Sequence, residues 1–283
     1  MTTDPQPQVD PEQTDSPFTP HVPFTEQLLA LGTAHILQHD LLASPGLAAR
    51  GSPAELAAAI RTALSLTRWA MDLQEQLEGM PIHRGRAFAA VQARLRQLAM
   101  LANDSGEAIM NAGTVLAPTR SLASPEDLSA SWVMEARSVA RSALAAGRDF
   151  VAFGAQDCLA AAETYAGEMR KRGSFAPARP VSLSPVQNAG LRAVALGHVA
   201  VSDDRTVRMH GGSRTVAIAT IRSLEARGLT TRVASPHQWF WSRCIPTADG
   251  HRALTATLAL PAASVRVSAP TSGPAQRVPG STR

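Results

Sequence analysis

Two arginines, Arg214 and Arg222, fall with Thr215, Ala219 and Ser223 at spacings that set them along the outer side of one helix. A guanidinium carries a planar fork of N–H donors that matches the O6 and N7 acceptors of guanine. The free N–H groups of a helix's first turn favour phosphate. Ser213 stands where it caps such a helix, and Arg208, Arg243 and His237 lie on the flanking segments. They are placed to meet the phosphate backbone or the minor groove, so the set reads as a DNA-binding one. A solvated surface remains the plain alternative for any single arginine among them.

Other reactive side chains form no comparable set. His35 and His39 stand four apart on one predicted helix, a spacing able to chelate a metal. No cysteine joins them and no glutamate completes an HExxH frame, so a packed or surface pair is expected and no metal. Cys158 and Cys244 are the only cysteines, too few for a disulfide framework, and read as free thiols of a reducing cytoplasm. Gly211-Gly212 lacks the Lys-Ser/Thr of a phosphate loop, and no Ser-His-Asp or paired-carboxylate frame is recognisable. The expectation is a protein without cofactor and without catalysis.

Net charge becomes informative when it is divided. Residues 1–180 carry 14 Arg and Lys171 against 19 acidic groups, a balance of −4. Residues 181–283 carry 12 Arg against Asp203, Asp204, Glu225 and Asp249, a balance of +8 that yields the overall +4. A basic half joined to an acidic one is the pattern of a chain with one end on a polyanion.

The elements that position these groups are mainly helical. Alanine is abundant and aromatics make up only 4% of the chain, which favours close-packed helices. Residues 1–23 are acidic and proline-rich without an apolar signal core, and read as a disordered arm. Residues 24–171 read as an extended α-helical bundle or coiled coil and as the site of dimerisation. Thr25 is set to cap a helix over Glu26–Leu42, and Ser52-Pro53-Ala54-Glu55 is a capping box opening a second. Leu56, Ile60, Ala63, Ala70, Leu73 and Leu77 form the stripe of that second helix, which Met80-Pro81 ends. Phe88, Val91, Leu95, Leu98, Ala102, Ser105, Ile109, Ala112 and Leu116 step by three and four, the coiled-coil period. Ser124-Pro125 opens a third long helix with the stripe Leu128, Trp132, Ala136, Val139, Ala143, Ala146, Phe150 and Phe153, shifting register near Gly154. Residues 172–183 read as a linker, and 259–283 as a disordered tail.

Residues 184–258 carry a different order. Ser184-Pro185-Val186-Gln187 is another capping box. Val199–Val201 suits a short strand, and a polar connector leads to a helix from Ser213 to Arg227 with Ala217, Ile221 and Leu224 inward. Gly228 supplies its left-handed stop. TTRVAS and WFWSRCIPT form a hairpin around Pro236-His237-Gln238, and Thr247-Ala248-Asp249-Gly250 opens a last helix. Leu224-Glu225-Ala226-Arg227-Gly228-Leu229 and Pro246-Thr247-Ala248-Asp249-Gly250 resemble two motifs of MarR-type bacterial regulators, with proline in place of leucine in the second. The resemblance covers about residues 184–256 and implies a winged helix-turn-helix (α+β) domain whose reading helix ends at Arg227. The hairpin lacks the Asp-x-Arg pattern usual in that family's wing.

The expected molecule is therefore mainly α, a helical bundle followed by a C-terminal winged helix. Its expected function is sequence-specific binding of double-stranded DNA as a dimeric bacterial transcriptional regulator, cytoplasmic and without a membrane span. The alternative is a structural or adaptor protein with the bundle as scaffold, or a DNA-binding protein of replication or partition in a mobile element.

Overall fold

The computed structural model describes residues 23–50, 52–81, 85–121, 131–175, 182–202, 207–209, 216–234 and 241–258. The expected arm, the Ser124-Pro125 helix start, the tip of the 236–238 hairpin and the tail lie outside these residues. The described chain is mostly helical, with a small antiparallel sheet near its C-terminus.

Six helices precede the sheet: α1 Phe24–Leu42, the short α2 Pro45–Arg50, α3 Pro53–Gly79, α4 Arg86–Leu116, α5 Ser131–Val151 and α6 Gly154–Lys171. Both arms of the capping box open α3, with Glu55 N–H donating to Ser52 Oγ at 3.2 Å and Ser52 N–H to Glu55 Oε2 at 2.8 Å. The nine-residue stripe of α4 is buried throughout, against α3 on one side and α5 on the other. At 1.5 Å per residue this helix runs about 46 Å, so its seam needs several partners along its length.

Two bundle expectations are corrected. Thr25 does not cap α1; the helix begins two residues earlier than expected, at Phe24 after Pro23, and Thr25 is buried inside it. The third long helix is not continuous, but breaks at Ala152-Phe153 into α5 and α6. Its buried stripe is also displaced by one residue, to Val133, Ala140, Leu144, Gly147 and Val151. Trp132, Val139 and Phe153 are left 45%, 48% and 66% exposed. A helix with apolar residues on two adjacent faces offers two near-equal stripes, and hydrophobicity alone does not select between them. The small residues decide it: a Cβ on Gly147 would lie 3.3 Å from the Ser105 carbonyl oxygen of α4, so glycine leaves room for α5 to pack closely there.

Helix α1 is buried on nearly every side, packing on α3, α5 and α6 and also on the C-terminal elements. Such a helix shows little amphipathic pattern because no face is reserved for solvent.

The remaining elements are α7 Pro185–Ala195, β1 Val199–Ser202, β2 Val207–Met209, α8 Ile218–Ala226, β3 Thr230–Ala234, β4 Trp241–Pro246 and α9 Ala248–Thr257. The strands form one antiparallel sheet in the order β2-β1-β4-β3. Ser184 opens α7 with a complete capping box, and Gly197, at φ +73°, ends it. The β3–β4 pairing runs from Thr230 opposite Pro246 to Ala234 opposite Ser242. Strand β2 was not foreseen: the polar connector between α7 and α8 pairs back on β1 as a hairpin.

Helix α8 is shorter than expected. It begins at Ile218 after Ala217, which caps it without a side-chain bond and is exposed rather than inward. Its exit follows the expected chemistry. Gly228 sits at φ +68°, and Thr247 Oγ1 donates to its carbonyl at 2.6 Å while accepting from Gly250 N–H at 3.1 Å. A Cβ on Gly250 would lie 2.0 Å from the Leu229 carbonyl oxygen, so this approach of α9 to the α8–β3 turn requires glycine. Leu191, Leu224, Leu229 and Leu254 then join Phe24, Leu28 and Leu31 of α1 in one continuous buried cluster.

Candidate nucleic-acid interface

The outer face of α8 carries the candidate reading residues that are described. Ala219 and Arg222 are exposed, while Thr220, Ile221 and Leu224 face the core. Ser223 is half-buried, and its hydroxyl accepts from Gln187 Nε2 of α7 at 2.9 Å, so it braces α8 rather than facing outward. Ser213, Arg214, Thr215 and His237 lie outside the described residues. Arg208 lies on the edge strand β2, opposite Ala200 of β1.

The described arginines of this half are mostly engaged within the protein. Arg232 pairs with Glu225 through Nε at 2.6 Å and Nη2 at 3.0 Å. Arg227 donates to Gln187 Oε1 at 3.1 Å and the Ser182 carbonyl at 3.0 Å. Arg192 pairs with Glu163, and Arg252 with Asp249 at 2.6 Å. Arg222 makes no ion pair with a described residue, which leaves its guanidinium available on an exposed helix face.

Arg243 is a correction. It was expected on the hairpin surface, yet it is 6% exposed and turned inward. Its Nε donates to Asp40 Oδ2 and its Nη2 to Asp40 Oδ1, both at 2.7 Å, and Nη1 donates to the Gly197 carbonyl at 2.5 Å. The cause lies in the strand order. β4 is an inner strand with residues 243–246 all buried, Cys244 packing beside Val194 and Ile221 on one face. The opposite face meets α1, so alternation along the strand delivers Arg243 to Asp40.

This pair belongs to a polar seam that α1 presents to the C-terminal elements. Burial alone would raise the Asp40 carboxyl, but hydrogen bonds and charge from His39 and Arg243 outweigh it and hold the group at about 2. Thr33 Oγ1 lies 3.0 Å from His251 Nε2 and 3.3 Å from the Leu29 carbonyl. Both contacts are satisfied together when Thr33 donates to Leu29 and His251 Nε2–H donates to Thr33. Burial lowers His251 to about 4, so its ring is neutral at pH 7. His35, also lowered to about 4 by burial, packs against Gly154, where a Cβ would fall 2.3 Å from the imidazole. Neither ring nitrogen of His35 has a hydrogen-bond partner among the described residues.

Beside this seam lies a cleft of about 280 Å³. It is bounded by α1, the α5–α6 break, the α7–β1 turn and β4, with His35, His39, Asp40, His198 and Arg243 among its polar lining. Sequence reasoning set His35 and His39 aside as a packed or surface pair. His35 is packed, and both border this cleft. The available signal was the polar content of the second half of α1, where Thr33, His35, Gln38 and Asp40 stand among apolar residues and are all buried. Among the described residues no group of three or more His, Cys, Asp or Glu side chains is placed to hold a metal. Both cysteines are buried free thiols; burial pushes Cys244 up to about 11 and Cys158 higher still, so neither is a nucleophile. No described helix is long and apolar enough to cross a membrane. Comparison with family models, curated proteins and solved structures found no match to this chain.

Proposed function

We propose that the chain is a DNA-binding protein of the winged helix kind, dimeric through its helical bundle and acting as a bacterial transcriptional regulator. The observation that carries this reading is Arg222, which makes no ion pair with a described residue, beside Ala219 on the exposed face of α8. The helix is held from behind by α7 through Gln187–Ser223, and the β3–β4 hairpin follows it. Arg222 is the base-reading side chain in this proposal, and Arg208 a phosphate contact. The exposed stripe of Trp132, Val139 and Phe153 supports a second copy as the bundle's partner, because it continues an apolar face along α5 and its junction with α6.

The test compares binding of the full chain to its selected genomic sequence and to random DNA. Arg222→Ala should cost about 1–3 kcal/mol on the selected sequence and little on random DNA. Arg208→Ala should weaken both alike. Equal losses from the two substitutions would remove the assigned roles.

One observation favours a second reading. Between α7 and α8 the described chain forms a hairpin rather than a helix, and most described arginines of this half are paired internally. Both suit an adaptor whose C-terminal module docks a protein. Absence of co-purifying DNA, with no measurable affinity for any duplex at low salt, would select that reading.

A further inference from the structure

Charge divides the chain into three parts rather than two. Asp4, Asp10, Glu12 and Asp15 make residues 1–22 acidic, with no Lys or Arg among them. Residues 23–180 carry 15 basic and 15 acidic side chains and balance, so this N-terminal arm accounts for the whole −4 of the first half. Its complement within the chain is the +8 of residues 181–283. Exposed charges are screened beyond about 8–10 Å at ordinary salt, so the two attract only where the arm reaches the cations.

The arm joins the fold beside that half. Helix α1 starts at Phe24 directly after Pro23, and the charge of Arg252 of α9 acts on Glu26 in its first turn. Helix α9 bonds to α7 through Thr257 Oγ1 and Asn188 Oδ1 at 2.9 Å, and α7 braces α8 through Gln187 and Ser223. At a helix diameter of about 10–12 Å, the outer face of α8 lies roughly two helices from Pro23. Residues 1–22 span up to about 70 Å when extended, so the face is well within reach. Ala219, Arg222, Ala226 and Arg227 are exposed there. Arg222 makes no ion pair with a described residue, and the bonds of Arg227 go to neutral acceptors, Gln187 and Ser182. Glu225, the carboxylate of this helix, is matched by Arg232. Two guanidinium charges therefore face outward between small side chains, open to carboxylates on an extended segment.

We propose that residues 1–22 dock on the exposed face of α8, their carboxylates against Arg222 and Arg227, and shield that face from an outside polyanion. The docking stands on charge, reach and exposure; its regulatory consequence rests on the DNA-binding reading of α8. Because arm and face belong to one chain, the arm acts at an effective concentration of about millimolar order. A weak contact then suffices to compete with a duplex, and a duplex with several phosphate contacts displaces it.

The test is made on the full chain. Cys158 and Cys244 are buried, so a nitroxide attached to Ser16→Cys labels the arm alone. At low salt it should broaden the amide NMR signals of Ala219, Arg222 and Ala226. It should spare Glu107 and Asn111, toward the other end of α4 from Phe88, which meets Phe24 through Tyr165. Asp4→Asn, Asp10→Asn, Glu12→Gln and Asp15→Asn together should remove the broadening, as should about 0.5 M salt. Arg222→Glu, at an exposed position, should do the same with the fold intact. The chain with the neutral arm should bind a duplex about three- to tenfold tighter than wild type at low salt. Broadening absent from α8, or unchanged when the arm is neutralised, overturns the proposal. Docking with equal duplex affinity of the two chains overturns the shielding. Docking on α8 with no duplex affinity in either chain upholds the docking and removes the DNA-binding reading instead.

Discussion

At the scale of the residue, Asp40 and Arg243 show how a correct chemical type was given the wrong address. An arginine on a β-prone hairpin reads as surface, and only the strand order, with β4 inside the sheet and α1 across its face, turns it inward. Asp40 was the legible clue, a carboxylate between Ile36 and Leu42 on a helix buried on nearly every side. Asp40→Asn or Arg243→Met should each cost about 3–5 kcal/mol in urea unfolding, because each leaves the other charge buried and unpaired. The double replacement Asp40→Leu with Arg243→Met should recover most of that loss, and additive losses would mean that the pair is not coupled. The buried imidazoles give a separate signature. His35 and His251 have folded values near 4, below the usual 6.5, so the unfolded chain takes up protons first as pH falls. Their stabilising effect is complete above about pH 6.5 and is lost progressively down to about pH 4, on the order of 3 kcal/mol for each ring. Asp40, whose value is depressed from the ordinary 3.8 to about 2, weakens the fold as pH falls through that interval, below most of the histidine window. A stability curve measured from pH 8 to 4 should therefore fall mainly between 6.5 and 4, and His251→Gln should flatten part of that fall.

At the scale of the element, local grammar was legible where one or two residues settle the matter. The capping boxes at Ser52 and Ser184, the Gly228 stop and the Thr247 cap all stand where the sequence places them. Ser184→Ala should cost about 1 kcal/mol, read as a shift in the urea midpoint without a change in slope. Helix phase was legible only when one stripe dominated. The α4 stripe is buried as read, whereas α5 carries Trp132, Val139 and Phe150 beside Val133, Ala140 and Leu144, and its neighbours chose the second set. Close approach at Gly147 to Ser105 is a pairwise property of two helices, and neither sequence segment contains it alone. The choice leaves an apolar stripe with a measurable consequence. If a second copy covers it, Val139→Glu should convert the dimer to monomer in solution mass measurements at unchanged helical content. A mass that does not respond would place any self-association elsewhere.

At the scale of the whole molecule, the charge division between the halves was plain in the sequence, but its meaning depends on which arginines are spent internally. Of the six C-terminal arginines with described side chains, five have acceptors within the chain, and Arg222 has none among the described residues. Affinity for a polyanion therefore follows available charge rather than the count of +8. Each phosphate neutralised contributes about 0.9 to the slope of log affinity against log salt. Arg208→Ala, at the proposed phosphate contact, should flatten that slope by about one contact, while Arg243→Met should leave it unaltered after correction for the unfolded fraction, since Arg243 faces Asp40. Glu225 supplies the converse. It lies beside Arg232 at the end of α8, and Glu225→Gln leaves that face one unit more positive without moving a helix cap. DNA affinity at low salt should rise and the slope should steepen. If Glu225→Gln changes neither while Arg222→Ala weakens binding, the contact surface runs along α8 toward its N-terminus and away from β3. If Arg222→Ala leaves binding of the selected sequence unaltered and Glu225→Gln leaves the salt dependence unaltered, α8 is not the face that meets DNA, and the basic C-terminal half serves another partner.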